Sequence, residues 1–240
     1  MVSDSPRSAS RSAIPLTRER GESGDAVFMN PLCRALNVVV ALVGIAVTLP
    51  FMLVIAVAIR LSSPGPVLFT QPRVGVDRRR GEVSDEIMSK RKEDLGGRVF
   101  TIYKFRTMRP ETGTPSQVWA TAHDPRITTV GRFLRKTRLD ELPQLFNVLQ
   151  GDMNIVGPRP EQPRIFQELR DRIDNYQHRQ KVLPGITGWA QVNLSYDQNL
   201  DDVRRKVALD LEYIEERSVT RDFIIMLKTL PVMLFRKGAV

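Results

Sequence analysis

The sequence predicts a mainly helical α+β domain that is held at a membrane by one apolar helix near the N-terminus. Residues 35–59 form 25 consecutive positions without a charge. Two short segments after this run are rich in β-branched and aromatic residues, and three later segments repeat apolar residues at helical spacing. The length of 240 residues suits one compact domain with appendages rather than a multi-domain protein.

The chain begins with a polar tail, residues 1–29, that is rich in Ser, Arg and Gly. Such a segment cannot bury enough apolar surface to fold, so we expect a disordered tail. The membrane segment follows at residues 30–60. Its apolar run is too long and starts too late for a cleaved signal peptide. A run of about 22 residues forms about 33 Å of helix, close to the thickness of a bilayer core.

Pro50 lies just past the middle of the apolar run and leaves two interpretations open. Proline removes one backbone donor and crowds the preceding turn, so it either kinks a spanning helix or breaks a re-entrant one. A re-entrant helix enters and leaves the membrane on the same face. Arg34 and Arg60 flank the run, as expected if both ends are cytoplasmic.

The remaining residues, 61–240, are predicted to form a small cytoplasmic domain. Residues 67–70 and 99–105 have the composition of strands. The apolar positions of the three predicted helices are Leu142, Leu145, Phe146 and Leu149; Ile165, Phe166, Leu169, Ile173 and Tyr176; and Leu200, Val203, Val207, Leu211 and Ile214. The charged stretch 78–97 is expected to be an exposed loop or short helix. The C-terminal segment packs on the domain or lies in the membrane interface as an amphipathic helix.

The charge balance favours a cytoplasmic domain that meets anions. The chain has 36 Lys+Arg against 27 Asp+Glu, and the basic excess after the apolar run indicates a cytoplasmic location. Lipid headgroups and phosphorylated substrates fit this surface. Nucleic acid does not, because the sequence has no zinc-finger spacing, aromatic RNP motif or long basic helix. One cysteine, Cys33, cannot form an internal disulfide.

The candidate chemistry lies at Asp140 and Glu141, two adjacent acids that follow a basic segment. If Asp140 caps a helix, Pro143 falls in the first turn, where a proline is tolerated. The acids then either complement the helix dipole and pair with arginines, or carry chemistry. A carboxylate can attack phosphorus, and one or two carboxylates with phosphate oxygens hold Mg²⁺.

Two shaped loops follow the acids. Pro158 and Pro160 restrict the backbone of Arg159, so a stiff loop presents a guanidinium that can bind phosphate in a bidentate manner. The second loop, residues 184–192, contains Trp189. That indole is either a core anchor or a surface that faces lipid or sugar.

Five segments, in this order, resemble the catalytic unit of the bacterial monotopic phosphoglycosyl transferases: SSPGPVLFTQPRVG, YKFRTM, LDELPQLFNVLQGDMNIVGPRP, LPGITGWAQVN and LDLEYI. The resemblance covers about residues 30–236 and is to the small form of the family. It implies a re-entrant membrane helix, interfacial amphipathic helices and a small cytoplasmic catalytic domain. It also implies a location on the cytoplasmic face of the bacterial inner membrane.

The resemblance implies transfer of a sugar-1-phosphate from a nucleotide diphosphate sugar, here expected to be a UDP-sugar, to undecaprenyl phosphate. The nucleoside monophosphate is released, and the lipid product starts exopolysaccharide, O-antigen or glycoconjugate assembly. Downstream glycosyltransferases and membrane lipid are therefore expected partners. No residue type in the sequence identifies the sugar that is transferred or indicates the oligomeric state.

The resemblance also implies roles for individual residues. Asp140 attacks the sugar-bearing phosphate to form a covalent phosphosugar intermediate, and Glu141 helps with metal binding or proton handling. Both acids are expected to hold Mg²⁺. Arg135 and Arg159 occupy the positions of phosphate-contacting arginines. Two further cations for substrate binding lie in YKFRTM, namely Lys104 and Arg106.

Two departures from the family pattern are visible. The helix break is often Ser-Pro in the family, whereas this chain has Leu49-Pro50, with the hydroxyl of Thr48 one place earlier. The charged stretch 78–97 is longer than the connection in the smallest members. Two alternatives remain: a non-catalytic basic membrane adaptor, and a membrane phosphatase that uses the same carboxylate.

Overall fold

A computed structural model describes residues 31–77, 96–110, 124–194 and 199–234. The helices are α1 (Pro31–Ser62), α2 (Thr129–Thr137), α3 (Gln144–Gln150), α4 (Pro163–Arg172), α5 (Trp189–Asn193), α6 (Leu200–Glu215) and α7 (Val219–Leu234). The strands are β1 (Leu68–Val74), β2 (Val99–Phe105), β3 (Asn154–Val156) and β4 (Gly185–Thr187), and 3₁₀ turns cover Leu139–Glu141 and Tyr176–Lys181. The predicted tail 1–29 and most of the charged stretch 78–97 lie outside the described residues.

The predicted strands are confirmed, and they pair with each other. β1 and β2 run antiparallel, from Leu68 opposite Phe105 to Val74 opposite Val99. The first strand extends beyond the predicted segment 67–70 and includes Pro72. That proline faces Thr101, and a two-stranded sheet tolerates a residue without an N–H donor at an edge.

The three predicted helical stripes form α3, α4 and α6, with two differences. Leu142 lies before α3, at the end of the first 3₁₀ turn, and the second difference is at the end of α4. Ile173 follows the helix in an extended conformation, and Tyr176 lies in the second 3₁₀ turn. Both side chains are nevertheless buried and pack with Phe166. The apolar spacing therefore predicted burial correctly beyond the point where the helix ends.

α1 is one helix of 32 residues that includes Pro50. One face is buried against the domain, at Cys33, Asn37, Ala41, Met52, Ile55 and Ile59. The opposite face exposes large apolar side chains, including Val39, Val43, Val47, Val54, Val57 and Leu61. By length and composition α1 can cross a membrane, so the protein is membrane-associated.

Both ends of α1 contact the same folded domain. Near the N-terminal end, Arg34 donates to the carbonyl oxygen of Val148 at 2.7 Å, and Asn37 accepts from the backbone N–H of Ile155 at 2.6 Å. Near the C-terminal end, Ile59 packs in a cluster with Phe105 and neighbouring apolar side chains. Ala41 and Met52, which lie between the two ends, are buried as well, so α1 packs along the domain rather than extending away from it.

The hydroxyl beside the helix proline is bonded within α1. The side chain of Thr48 donates to the carbonyl oxygen of Gly44 at 2.6 Å. The oxygen that Pro50 leaves without its usual donor belongs to Ala46. The Thr48 hydroxyl therefore satisfies a neighbouring carbonyl and not the one that the proline affects.

α7 has two apolar faces with different surroundings. Ile225 is fully buried in the main core, whereas Phe223, Ile224, Leu227 and Leu230 are exposed. The helix therefore packs on the domain through one side and presents apolar side chains on the other. Its position in a membrane interface stays a prediction.

Candidate active site

The acid pair lies in the 3₁₀ turn between α2 and α3. Arg138 begins the turn in the left-handed conformation, with φ of 59°. The turn is closed by the backbone bonds from Glu141 N to Arg138 O and from Leu142 N to Leu139 O. Asp140 does not cap the next helix, because α3 begins only after Pro143. Pro143 is itself the N-cap residue of α3, where its missing N–H removes no hydrogen bond within the helix.

Glu141 is the centre of a cluster of cations. Its Oε1 accepts from Lys104 Nζ at 2.8 Å and from Arg159 Nη2 at 2.7 Å, and Arg138 Nη1 lies 3.9 Å away. The carboxyl is 7% exposed. Burial opposes its ionisation, but Arg159 and Lys104 hold the pKa of Glu141 well below its usual range. Glu141 therefore stays charged at neutral pH and gathers three cations at the turn.

Asp140 has a contrasting environment. Its Oδ1 is buried without a hydrogen-bond partner among the residues that the structure describes. Burial and the adjacent charge of Glu141 raise the pKa of Asp140 to about 6, although Lys104 and Arg138 oppose the shift. The group is mainly ionised at pH 7, yet its charge is poorly stabilised by hydrogen bonds. A carboxylate of this kind is suited to attack on an electrophile.

A buried asparagine places Lys104 beside the acids. Asn147 of α3 is fully buried. Its Nδ2 donates to the carbonyl oxygen of Thr101 at 2.7 Å, and its Oδ1 accepts from the N–H of Tyr103 at 3.0 Å. The side-chain amide thereby forms hydrogen bonds with the backbone of β2 that a neighbouring strand would otherwise form. Because α3 directly follows the acid turn, this pairing fixes the distance between Lys104 and Glu141.

Close backbone packing forms the loop that carries Arg159. Gly157 N donates to Thr187 O at 2.9 Å, and Gly185 N donates to Pro158 O at 3.0 Å. A Cβ added at Gly185 would lie 2.1 Å from the nitrogen of Gly157, which no packing adjustment accommodates. The two loops that the sequence predicts separately are therefore one unit, in which glycines allow the chains to touch.

Trp189 lies at the edge of the main core, beside α7. Its ring packs against the main core, which agrees with a core anchor. The same ring also lies 4.9 Å from the guanidinium of Arg221 and 4.5 Å from the ammonium of Lys228. The indole therefore attaches α7 to the core through cation–π contacts.

The structure does not bring Arg106 or Arg135 to the acid pair. Arg106 is 6% exposed and donates to the carbonyl oxygens of Ser63 at 2.7 Å and Pro64 at 2.8 Å. It therefore holds the end of α1. Arg126 lowers the pKa of Asp124 mainly through hydrogen bonds, and Arg135, in the last turn of α2, adds a smaller electrostatic effect. Substrate binding by Arg106 and Arg135 stays a prediction.

Three further residues near the site were given no role from the sequence. Arg138 approaches Glu141. Arg73 of β1 donates to the carbonyl oxygen of Pro160 at 3.0 Å, and it lies beyond the end of the predicted strand 67–70, so no sequence signal pointed to it. Gln144 follows the acids by one turn, is 1% exposed, and its Nε2 has no partner in the described part of the chain.

The acid pair fits a magnesium ion only if substrate completes the site. Within the described residues there is no group of three or more His, Cys, Asp or Glu side chains that could hold a metal. Oε1 of Glu141 is occupied by cations, whereas Oδ1 of Asp140 has no bonding partner there. Mg²⁺ commonly takes one or two carboxylates and completes its shell with phosphate oxygens and water. This donor set agrees with that arrangement.

The site is thus an acid pair among partly buried cations in a mainly helical, membrane-associated domain. The model of the bacterial sugar transferase family matches residues 28–236, which include all of the site described above. The chain belongs to the bacterial sugar transferase family, and the predicted family membership is confirmed.

Several relatives carry names that describe their reactions. The chain is 41% identical over 206 residues to a UDP-N-acetylgalactosamine-undecaprenyl-phosphate N-acetylgalactosaminephosphotransferase of Aeromonas hydrophila, covering 86% of this chain and 44% of that protein. It is 41% identical over 201 residues to a UDP-glucose:undecaprenyl-phosphate glucose-1-phosphate transferase of Escherichia coli (strain K12), covering 83% and 39%. A transferase of the latter name from Caulobacter vibrioides is 37% identical over 240 residues, covering 99% and 83%. The chain thus spans less than half the length of the first two relatives and most of the third.

Proposed function

We propose that the protein transfers a sugar-1-phosphate from a UDP-sugar to undecaprenyl phosphate and releases UMP. The observation that carries the proposal is the poorly stabilised carboxylate of Asp140 beside three cations that Glu141 holds in place. The relatives named above support the substrate classes, because their names contain UDP-sugars and undecaprenyl phosphate. The names differ in the sugar, so the test uses a panel of UDP-sugars.

In the first step, an oxygen of Asp140 attacks the phosphorus that bears the sugar. A bond forms between that oxygen and phosphorus, and the bond from phosphorus to the bridging oxygen of the diphosphate breaks. UMP leaves with the electron pair. Lys104, Arg138 and Arg159 lie next to the attacking group and offset the negative charge of the diphosphate, as positioned cations do in phosphoryl transfer.

In the second step, a phosphate oxygen of undecaprenyl phosphate attacks the same phosphorus. The bond from phosphorus to Asp140 breaks, the carboxylate is regenerated, and the lipid leaves as a sugar diphosphate. Glu141 holds the cations through both steps. Its lowered pKa favours this electrostatic role over proton transfer, because at neutral pH the carboxylate has no proton to donate and is too weak a base to accept one.

Magnesium is proposed as the cofactor, held by Asp140 and Glu141 together with oxygens of the diphosphate. When bound, the ion supplies positive charge that stabilises the departing phosphate. The side chains provide the remaining parts of the reaction: a nucleophile from Asp140 and fixed cations from Lys104 and Arg159.

We also propose that α1 is re-entrant, with both ends on the cytoplasmic face of the inner membrane. The support is that Arg34 at one end and Ile59 near the other both contact the same domain. Single cysteines at the exposed positions Pro31 and Ser62, in a Cys33→Ser background, test this topology. An impermeant maleimide should label both only after permeabilisation of intact cells. Labelling of one position from outside would contradict the proposal.

The proposed reaction is tested with purified protein in detergent and a panel of UDP-sugars. UMP release should require undecaprenyl phosphate for continued turnover, and Asp140→Asn should abolish it. Asp201→Asn is the matched control, because Asp201 is exposed and pairs only with Arg204 among the described side chains. Turnover without the lipid acceptor would favour a phosphatase, and no UMP release from any sugar donor would favour a membrane adaptor. The product of the reaction is the acceptor that downstream glycosyltransferases need.

A further inference from the structure

A buried ion pair lies behind Arg159 and outside the site described above. Arg179, in the 3₁₀ turn Tyr176–Lys181, is 2% exposed. Its Nε donates to Oδ2 of Asp210 in α6 at 2.8 Å, and its Nη1 donates to the hydroxyl of Tyr176 at 2.8 Å. Its Nη2 donates to the backbone carbonyl oxygen of Arg159 at 3.0 Å. One guanidinium thus joins the 3₁₀ turn, α6 and the loop that carries Arg159.

We propose that Arg179 and Asp210 are positioning residues for Arg159. They hold the backbone of Arg159 so that its guanidinium reaches Glu141 at 2.7 Å, and they touch neither substrate nor the acids. The inference rests on the proposed function, in which Arg159 offsets the charge of the diphosphate.

The loop needs donors from elsewhere because two of its residues are prolines. Pro158 and Pro160 have no backbone N–H, so this segment cannot form a continuous hydrogen-bonded ladder. Its three consecutive carbonyl oxygens instead accept from three separate elements. Gly185 N donates to Pro158 O, Arg179 donates to Arg159 O, and Arg73 donates to Pro160 O.

The loop is therefore held by donors that converge from β4, the second 3₁₀ turn and β1. Of these donors, only Arg179 bonds the carbonyl of Arg159 itself. Asp210 fixes the direction of the Arg179 guanidinium, because both side chains are almost completely buried and lie 2.8 Å apart. The position of Arg159 thus depends on a carboxylate in α6.

Stability alone is a poor explanation for this ion pair. Burying an arginine and an aspartate costs several kcal/mol of desolvation for each ion, and apolar residues of similar size often stabilise a fold equally well. A guanidinium, however, presents its donors in a rigid planar fork. A lysine has the charge but not this fork, and an apolar side chain has neither. The three bonds of Arg179 are the kind of contact that only arginine makes.

The expected effect is on turnover. A displacement of about 1 Å at a positioning residue can cost a factor of about 100 in rate. The bond between Arg159 and Glu141 is short, so a small shift of the loop lengthens it and disperses the cations around Glu141. Asp210→Asn should therefore lower the turnover number at least tenfold while the protein remains folded.

A double-mutant cycle with Arg159→Lys tests the inference. If Asp210 acts through Arg159, Asp210→Asn should lower turnover at least tenfold in the wild-type background and less than twofold in the Arg159→Lys background. If the loss of turnover in the double variant equals the product of the losses in the two single variants, the proposal is overturned. Arg179→Lys should lower turnover as Asp210→Asn does. If Asp210→Asn does not yield folded protein, Arg179→Lys takes its place in the same double-mutant cycle.

Asp124→Asn is the matched control. Asp124 is 9% exposed and forms an ion pair with Arg126 at 2.6 Å, but no contact with the Arg159 loop is found in the described part of the chain. In the double variant, the loss of turnover from Asp124→Asn should multiply the loss from Arg159→Lys, because the two residues act independently. Wild-type protein without sugar-phosphate transfer would refute the proposed function, whereas an active wild type with a multiplicative Asp210→Asn effect would refute only the positioning role.

Discussion

Replacement of the proposed nucleophile should stabilise the protein while it abolishes turnover. The carboxyl of Asp140 has a pKa of about 6 in the folded protein against 3.8 for the ordinary group. The folded state therefore favours the protonated form, and an ionised Asp140 weakens folding. Asp140→Asn keeps the size of the side chain and removes the charge, so the free energy of unfolding should increase at neutral pH.

The magnitude follows from the difference between the two pKa values. Each unit is worth about 1.4 kcal/mol, so a shift of about two units corresponds to ~3 kcal/mol. Above pH 7 both the folded and the unfolded states are ionised and the full penalty is present. As the pH falls through about 6, the folded state gains the proton and the unfolded state does not. The penalty therefore falls to ~1.5 kcal/mol at pH 5 and continues to decrease toward pH 4.

Thermal unfolding of the purified protein at pH 7.5 and pH 5 provides the assay. At about 2–4 °C per kcal/mol for a protein of this size, Asp140→Asn should raise Tm by roughly 6–12 °C at pH 7.5 and by about half as much at pH 5. Asp201→Asn, at an exposed position, should leave Tm nearly unchanged. An unchanged or lower Tm for Asp140→Asn at pH 7.5 would refute the electrostatic account of the site, as would a gain that does not decrease at pH 5.

Three further predictions concern the same site and its supporting loop. A profile of turnover against pH should fall about tenfold per unit below pH 6, because only the ionised Asp140 attacks; a flat profile down to pH 5 would contradict this. Glu141→Gln removes the adjacent negative charge, so the midpoint of the residual activity should move to lower pH, and the unpaired Lys104 should lower the free energy of unfolding by about 3–5 kcal/mol. A midpoint that moves to higher pH would be inconsistent with the charge of Glu141 raising the pKa of Asp140. Gly185→Ala should prevent a cooperative thermal transition followed by circular dichroism, because its Cβ would lie 2.1 Å from Gly157 N, and a wild-type Tm would disprove the close packing.

Apolar spacing and β-prone composition predicted α1, α3, α4, α6, β1 and β2, whereas no prediction was made for α2, α5, β3 and β4. The stripes that became α3, α4 and α6 face the core except at Phe146, which is exposed, and residues 99–105 form β2 with the predicted bounds. The errors lie where local preference and tertiary context differ. Pro72 argues against a strand, yet it occupies β1 opposite Thr101, whose carbonyl bonds Asn147 instead. Ile173 continues a helical spacing after the helix has ended.

The sequence singled out the acid pair as the candidate site, and it indicated only some of the side chains that contact the pair. Lys104 and Arg159 meet Glu141 across 37 and 18 residues of sequence, and motif resemblance identified both. Side chains two apart share one face within a strand, but β2 ends at Phe105 and Arg106 lies beyond it. Arg106 therefore turns to the end of α1, a contact that depends on how the membrane helix packs and that local sequence does not encode.

The most direct test of a covalent mechanism is the intact mass of the protein after incubation with a UDP-sugar alone. The proposed mechanism predicts a mass increase of one sugar phosphate on the wild type without undecaprenyl phosphate. The adduct should disappear when that lipid is added, and Asp140→Asn should never acquire it. An active wild type that forms no adduct, or an adduct on Asp140→Asn, would contradict the assignment of Asp140 as the nucleophile.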